Sequence, residues 1–176
     1  MTPAPDEQNI VLIGMPGVGK STVGVLLAKL SSRSFIDTDV YIQAREGRRL
    51  QDIIDTEGIE VFCGIEERHL LSLHLRGHVI ATGGSVVYSP AAMTHLKSSG
   101  VLVHLDLPFE KLQKRLTDVD SRGVVMAPGQ TLRSLFEERE PLYGRCADLT
   151  VDCSGLTHEQ VVERILDALH GRRRRQ

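Results

Sequence analysis

Lys20 and Ser21 end the run Gly14-Met15-Pro16-Gly17-Val18-Gly19-Lys20-Ser21, which reads G-x-x-x-x-G-K-S. Glycines at those positions let the backbone turn its N–H groups into one concavity. A lysine there reaches the β- and γ-phosphates of a nucleotide, and the serine hydroxyl ligates Mg²⁺. Asp37 and Asp39 are the next residues able to do chemistry. Two carboxylates opposite such a loop suit a metal and a proton, although Asp also caps helices and either could serve only that end. Thr82-Gly83-Gly84-Ser85 adds a glycine pair that permits close approach of a ligand to the backbone, or marks a plain turn. Arg122 is a candidate charge stabiliser in a polar stretch, the plain alternative being an exposed loop arginine.

The elements that must position these residues follow from the apolar pattern. Ile10 to Ile13 is a short apolar run of the buried-strand kind, and Thr22 to Leu30 carries Val23, Leu26, Leu27 and Leu30 at helical spacing. The glycine run therefore sits between a strand and a helix, whose N-terminal dipole adds to its attraction for anions. Phe35-Ile36 reads as the end of a second strand, which puts Asp37 and Asp39 at the carboxyl edge where open α/β sheets bind ligands. Helices are expected at Val40 to Arg45, around Leu50 to Ile54, and over Ile59 to Leu75, with breaks at Gly47, Gly58 and Gly77.

His78 to Ala81 is the next strand, Pro90 to Leu96 a helix, Val101 to Leu105 a strand and Phe109 to Leu116 a helix. Thr117 to Gly129 is polar, contains glycine and is too long for a plain connector, so a mobile lid is expected there. Thr131 to Tyr143 reads as a helix that Pro141 distorts or ends. Leu149 to Asp152 is a last strand, followed by an amphipathic helix capped by Thr157. Helices alternating with short apolar strands predict a parallel sheet covered on both faces.

Composition narrows the class. The chain has 176 residues, the length of one domain, with ordinary apolar (41%) and charged (25%) fractions. A net charge of −2 argues against a nucleic-acid footprint. No apolar run approaches the roughly 20 residues that span a bilayer. Residues 1–8 are expected to be a disordered lead-in, since they lack the basic-then-apolar layout of a secretory signal. The body is 9–170, and 171–176 a basic tail whose arginines read as a solvated end. Three cysteines without a C-x-x-C pattern fit a reduced, cytoplasmic setting. His69, His74 and His78 lack ligand partners in sequence and read as surface histidines.

The chain resembles the shikimate kinase family from Ile10 to Leu169. The resemblance rests on Gly14 to Thr22, Phe35 to Asp39, Thr82-Gly83-Gly84, and Glu138-Arg139-Glu140-Pro141-Leu142-Tyr143. It implies a P-loop kinase fold: a five-stranded parallel sheet, helices on both faces, a substrate-binding helical region at about 38–75 and a lid at about 117–129. It implies ATP and Mg²⁺, with the γ-phosphoryl passing to a hydroxyl of a small hydroxylated acid, and a monomer that binds neither nucleic acid nor membrane.

By resemblance, Gly14, Met15, Pro16, Gly17, Val18, Gly19, Lys20, Ser21, Thr22 and Arg115 bind nucleotide, Arg115 against the adenine. Ser21 and Asp37 hold the metal. Lys20, Asp39 and Arg122 are the catalytic set. Asp39, Cys63, Gly83, Gly84, Ser85 and Arg139 face the acceptor. Three positions depart from the family pattern. Cys63 stands where the family has an arginine of the carboxylate clamp, Ser85 replaces a third glycine, and Arg122-Gly123-Val124-Val125 replaces R-P-L-L. A charge-assisted bond is worth about 1.5–3 kcal/mol, so the missing arginine bears on the acceptor. Arg45, Arg48 or Arg68 could replace it. Alternatively, the acceptor is another hydroxy acid or an amino alcohol such as homoserine, or the chain is a nucleotide-binding regulatory domain without turnover.

Overall fold

Strand β1 (Asn9–Ile13) is buried along its whole length, and the other strands are laid out around it. The computed structural model describes residues 7–117, 124–127 and 129–173. After β1 come α1 (Lys20–Leu30), β2 (Ser34–Asp37), α2 (Thr38–Glu46), α3 (Leu50–Glu57) and α4 (Ile59–Ser72). Then follow β3 (His78–Ala81), a 3-10 turn at Val86–Tyr88, α5 (Pro90–Ser99), β4 (Gly100–Asp106), α6 (Phe109–Thr117), α7 (Leu132–Cys146), β5 (Leu149–Asp152) and α8 (His158–Arg173).

The five strands pair in the order β2-β3-β1-β4-β5, all parallel. The chain moves to one side of β1 for β2 and β3, then to the other for β4 and β5. The reversal opens a crevice at the carboxyl end of β1, the place where such sheets take ligands. Right-handed crossovers running in opposite directions put α1 and α5 on opposite faces.

Each of Ile10, Val11, Leu12 and Ile13 is 3% exposed or less. Burial of such a side chain contributes about 1.5–3 kcal/mol, so β1 is a fixed base for the loop it leads into. A second, smaller apolar cluster gathers Ile42, Leu50, Ile53, Phe62, Ile65 and Val125 beneath α2, α3 and α4. It supports the acceptor side. The expected lid region enters it through Val125, which is buried. Residues 118–123 and 128 lie outside the described residues, and so does Arg122.

Helices α7 and α4 end at residues other than those the sequence reading gives. Helix α7 runs through Pro141 to Cys146. Its buried stripe Leu135, Arg139 and Tyr143, at spacing four, holds the helix on both sides of the proline. Glu137, the residue whose carbonyl loses its partner to the proline, is exposed and reaches water. Helix α4 stops at Ser72, short of Leu75. There Asn9 Nδ2 donates to the Leu75 carbonyl at 2.7 Å and pulls the chain out of helical geometry.

Candidate active site

The loop after β1 turns through positive φ at Gly14, Gly17 and Gly19. At Gly14 no side chain fits, since a Cβ would stand 2.7 Å from the Leu105 carbonyl. Met15 and Val18 are buried and anchor the loop in the core, while Pro16, Gly17, Gly19, Lys20, Ser21 and Thr22 line a cavity of about 620 Å³. Lys20 Nζ folds back over the loop, donating to the carbonyls of Gly14 (2.8 Å) and Met15 (2.9 Å). Burial lowers its pKa to about 8, against the opposing pull of Asp39 and Asp37.

Asp37 serves both readings made of it. Its Oδ1 caps α2 by accepting from the N–H groups of Asp39 (3.0 Å) and Val40 (3.2 Å). Its Oδ2 accepts from Ser21 Oγ at 2.5 Å. A hydroxyl and a carboxylate oxygen converging beside a phosphate loop are the hard donors that Mg²⁺ takes, so these two residues fit that ion. Asp39 lies in the first turn of α2 and lines the same cavity. Burial, then the neighbouring Asp37 charge, raise its carboxyl to about 6, with Lys20 opposing.

The acceptor half is built on Gly83 and Gly84. A Cβ on Gly83 would stand 2.5 Å from Glu66 Oε1 and 2.7 Å from Asp39 Oδ1, and one on Gly84 would stand 3.1 Å from Arg139 Nη1. Both glycines are therefore filled from the side by charged groups. Arg139 is 1% exposed. Its Nε donates to Tyr88 Oη at 3.0 Å and its Nη2 to the Val125 carbonyl at 2.6 Å. Nη1 makes no hydrogen bond. A buried guanidinium whose Nη1 amino group is free is set to receive an anion. Tyr143 Oη donates to the Gly84 carbonyl at 2.6 Å and fixes the glycine pair to α7.

Sequence reasoning missed Glu66, Tyr88, Tyr143 and His158. Glu66 is 2% exposed on α4. Its Oε2 accepts from Ser85 Oγ at 2.7 Å, and its Oε1 has no partner. Burial raises its carboxyl to about 7; Ser85 opposes and Asp39 adds to the rise, while Arg139 and Lys20 pull it down. A signal was present, because Glu66 falls among Phe62, Ile65 and Leu70, the buried stripe of α4. An acid at a core position of an amphipathic helix is a site candidate. His158 at the start of α8 lines the cavity beside Gly19, and no pattern in the sequence marked it.

Arg115 lines the cavity near the loop and donates from Nη1 to the Val18 carbonyl at 2.9 Å. Cys63 is half-buried and packs against the smaller apolar cluster rather than lining the cavity. The arginines that could have replaced it are engaged elsewhere. Arg48 pairs with Glu57, Arg68 with Glu46, and Arg45 lies over the Tyr41 ring. Among the described residues, Arg139 is the one acceptor-side arginine lining the cavity.

One end of the cavity can thus hold a polyphosphate and a divalent cation. The other presents the Asp39 carboxyl and the Arg139 guanidinium at a glycine pair, with the buried Glu66 carboxyl packed against Gly83. The shikimate kinase family sequence model matches residues 16–170. The chain is 37% identical over 164 residues to the shikimate kinase of Caldanaerobacter subterraneus subsp. tengcongensis, covering 92% of this chain and 95% of that one. It is 40% identical over 167 residues to the shikimate kinase of a Synechococcus species, covering 93% and 85%. Among solved structures, the shikimate kinase of Acinetobacter baumannii in complex with shikimate superposes with a TM-score of 0.81 at 31% identity, covering 94% of each chain.

Proposed function

The chain belongs to the shikimate kinase family, and we propose that it transfers the γ-phosphoryl group of ATP to a hydroxyl of shikimate. The loop from Gly14 to Thr22 and Lys20 grip the phosphates. Ser21 and Asp37 would hold Mg²⁺, whose chemistry there is neutralisation of phosphate charge. Asp39 receives the acceptor hydroxyl and takes its proton as the oxygen attacks phosphorus. The bond between the γ-phosphorus and its bridging oxygen breaks, and ADP leaves. At about 6, the Asp39 carboxyl is largely ionised at neutral pH and able to accept that proton. Arg139 holds the acceptor's carboxylate. By the family resemblance, Arg115 is assigned to the adenine and Arg122, outside the described residues, to the phosphates.

The observation that carries this reading is the free Nη1 of buried Arg139, held against Gly84 in the cavity that also contains Lys20. An unpaired guanidinium amino group, kept dry and opposite a phosphate loop, asks for an acceptor that carries an anion away from its reacting hydroxyl. ADP release should be seen with shikimate and ATP·Mg²⁺, and mass analysis should find one phosphate added to shikimate. No ADP release with shikimate would refute the reading.

A second reading has one observation in its favour. Two carboxyls, Asp39 and Glu66, face a single acceptor-side guanidinium, an arrangement that also suits a small amino alcohol with its own ammonium, such as homoserine. Turnover of homoserine in the same assay, above that of shikimate, would select it. Cys63→Arg should then lower activity, whereas a shikimate kinase should gain shikimate affinity from it. We further infer a single kinase domain over residues 9–170 that works as a cytoplasmic monomer without nucleic-acid or membrane partners. The described residues contain no helix long and apolar enough to cross a membrane.

A further inference from the structure

Behind the phosphate loop lies a cluster that the kinase reaction does not use. His104, Asp106 and Glu140 each offer a ligand atom, and these atoms all lie within 4.8 Å of one another. His104 and Asp106 stand two apart on β4, so they share a face at its carboxyl end. Glu140 reaches them from α7, one residue after Arg139.

His104 is 1% exposed, yet neither ring nitrogen makes a hydrogen bond. A buried polar group left without a partner is destabilising, and this imidazole leaves two. Glu140 Oε2 stands 3.5 Å from Nε2, too far for a hydrogen bond of good geometry and close enough for the two atoms to ligate one ion. The ring stacks on Tyr143 with centroids 5.3 Å apart and planes at 27°, which holds its plane in place. Glu140 keeps 29% of its side chain exposed, which gives a route of entry from solvent.

We propose that His104, Asp106 and Glu140 bind a divalent transition-metal ion of the Zn²⁺, Co²⁺ or Mn²⁺ class, at a site separate from the Ser21–Asp37 pair. One imidazole with two carboxylates suits these borderline ions. Mg²⁺ prefers an all-oxygen octahedron and keeps its waters. Such an ion would tie β4 to α7 directly beside two residues that shape the acceptor pocket. Arg139 adjoins Glu140 in sequence, and Tyr143, on which His104 stacks, holds the Gly84 carbonyl. The ring also lies under the phosphate loop, its Cδ2 3.4 Å from the position of a Cβ on Gly14. The ion therefore acts as a fastener between the two halves of the active site and takes no part in phosphoryl transfer.

The test is metal uptake by the full chain, stripped with chelator and free of nucleotide, with excess Mg²⁺ present to occupy the oxygen-donor position. Co²⁺ is titrated by its visible absorption and Zn²⁺ by calorimetry, on the wild type, on Glu140→Gln and on His104→Phe. Glu140→Gln changes a partly exposed residue, so it stays folded even if His104→Phe does not. The expected result is one equivalent per chain in the wild type, at least tenfold weaker binding in each folded variant, and a Zn²⁺-dependent rise in melting temperature that Glu140→Gln loses. Absence of uptake by the wild type would reduce the cluster to a His–carboxylate ion pair and overturn the proposal. Uptake undiminished in Glu140→Gln would place the ion elsewhere and overturn it equally.

Discussion

Ser85 donates its hydroxyl to Glu66, Oγ to Oε2 at 2.7 Å, and thereby turns the unpaired Oε1 of a buried acid towards Gly83. Ser85 lines the acceptor pocket, and Glu66 lies buried against Gly83. Ser85 holds a group that burial would otherwise leave with no partner at all.

Glu66 should make stability fall as pH rises. Its carboxyl is raised from 4.5 to about 7 in the folded protein, mainly by burial. Below about pH 4.5 both folded and unfolded chains hold the proton, and the group has no effect on the balance. As pH climbs towards 7 the unfolded chain releases its proton first, and folding loses about 3 kcal/mol. Glu66→Gln keeps the shape and removes the titration. Urea unfolding should therefore find the variant similar to wild type near about pH 4.5 and more stable by roughly 1–3 kcal/mol near pH 8. An equal difference at both pH values would rule the linkage out.

Lys20→Met should abolish turnover without unfolding the chain. The ammonium lies over the phosphate loop, on the Gly14 and Met15 carbonyls, and that loop is anchored by the buried Met15 and Val18. Loss of a preorganised donor to transition-state charge costs about 10²–10³ in kcat. Single-turnover kinetics at saturating ATP and acceptor measures this. Near-normal kcat would remove Lys20 from the mechanism.

Asp37 should separate capping from metal binding. Asp37→Asn retains an oxygen able to cap α2, so melting should be nearly unchanged, while the Mg²⁺ concentration for half-maximal rate should rise at least tenfold. Asp37→Ala loses both and should also cost about 1 kcal/mol in stability. Magnesium titrations of rate, set beside thermal melts of both variants, distinguish the two duties. A normal Mg²⁺ requirement in both would leave Asp37 a cap alone.

The nucleotide half was legible because its information is local. The spacing of Gly14 to Ser21 and the apolar runs on either side declare strand, loop and helix within thirty residues. The acceptor half is assembled from α2, α4, α7 and the turn after β3, and residues so far apart announce no spacing. Arg139 was reached by resemblance alone, and its supports Tyr88 and Tyr143 only by contact. Cys63 was placed in the acceptor set because of what it replaces, yet it packs towards the smaller apolar cluster while Glu66, one turn later, meets Gly83. Helix α7 outruns its expected end at Tyr143 for a related reason. A proline weakens a helix locally, but the buried stripe of Leu135, Arg139 and Tyr143 outweighs that through contacts the sequence does not display.

Arg139 should govern acceptor affinity and leave ATP binding alone. Its Nε and Nη2 are committed to Tyr88 and to the Val125 carbonyl, so only Nη1 is free for substrate. Arg139→Lys keeps the charge but has no fork to satisfy those fixed partners and the acceptor together. A charge-assisted bond lost here costs about 1.5–3 kcal/mol, so the acceptor KM should rise roughly 10- to 150-fold. Tyr88→Phe removes the acceptor of the Nε bond while Val125 still holds Nη2, so its effect on KM should be smaller, about two- to tenfold. The Kd for ATP, measured by calorimetry without acceptor, should stay within about twofold of wild type in both variants, because the phosphate loop is reached through Lys20 and not through Arg139. If Arg139→Lys weakened ATP and left the acceptor KM unchanged, the guanidinium would belong to the phosphate end, and the division of the cavity into two halves would fail with it.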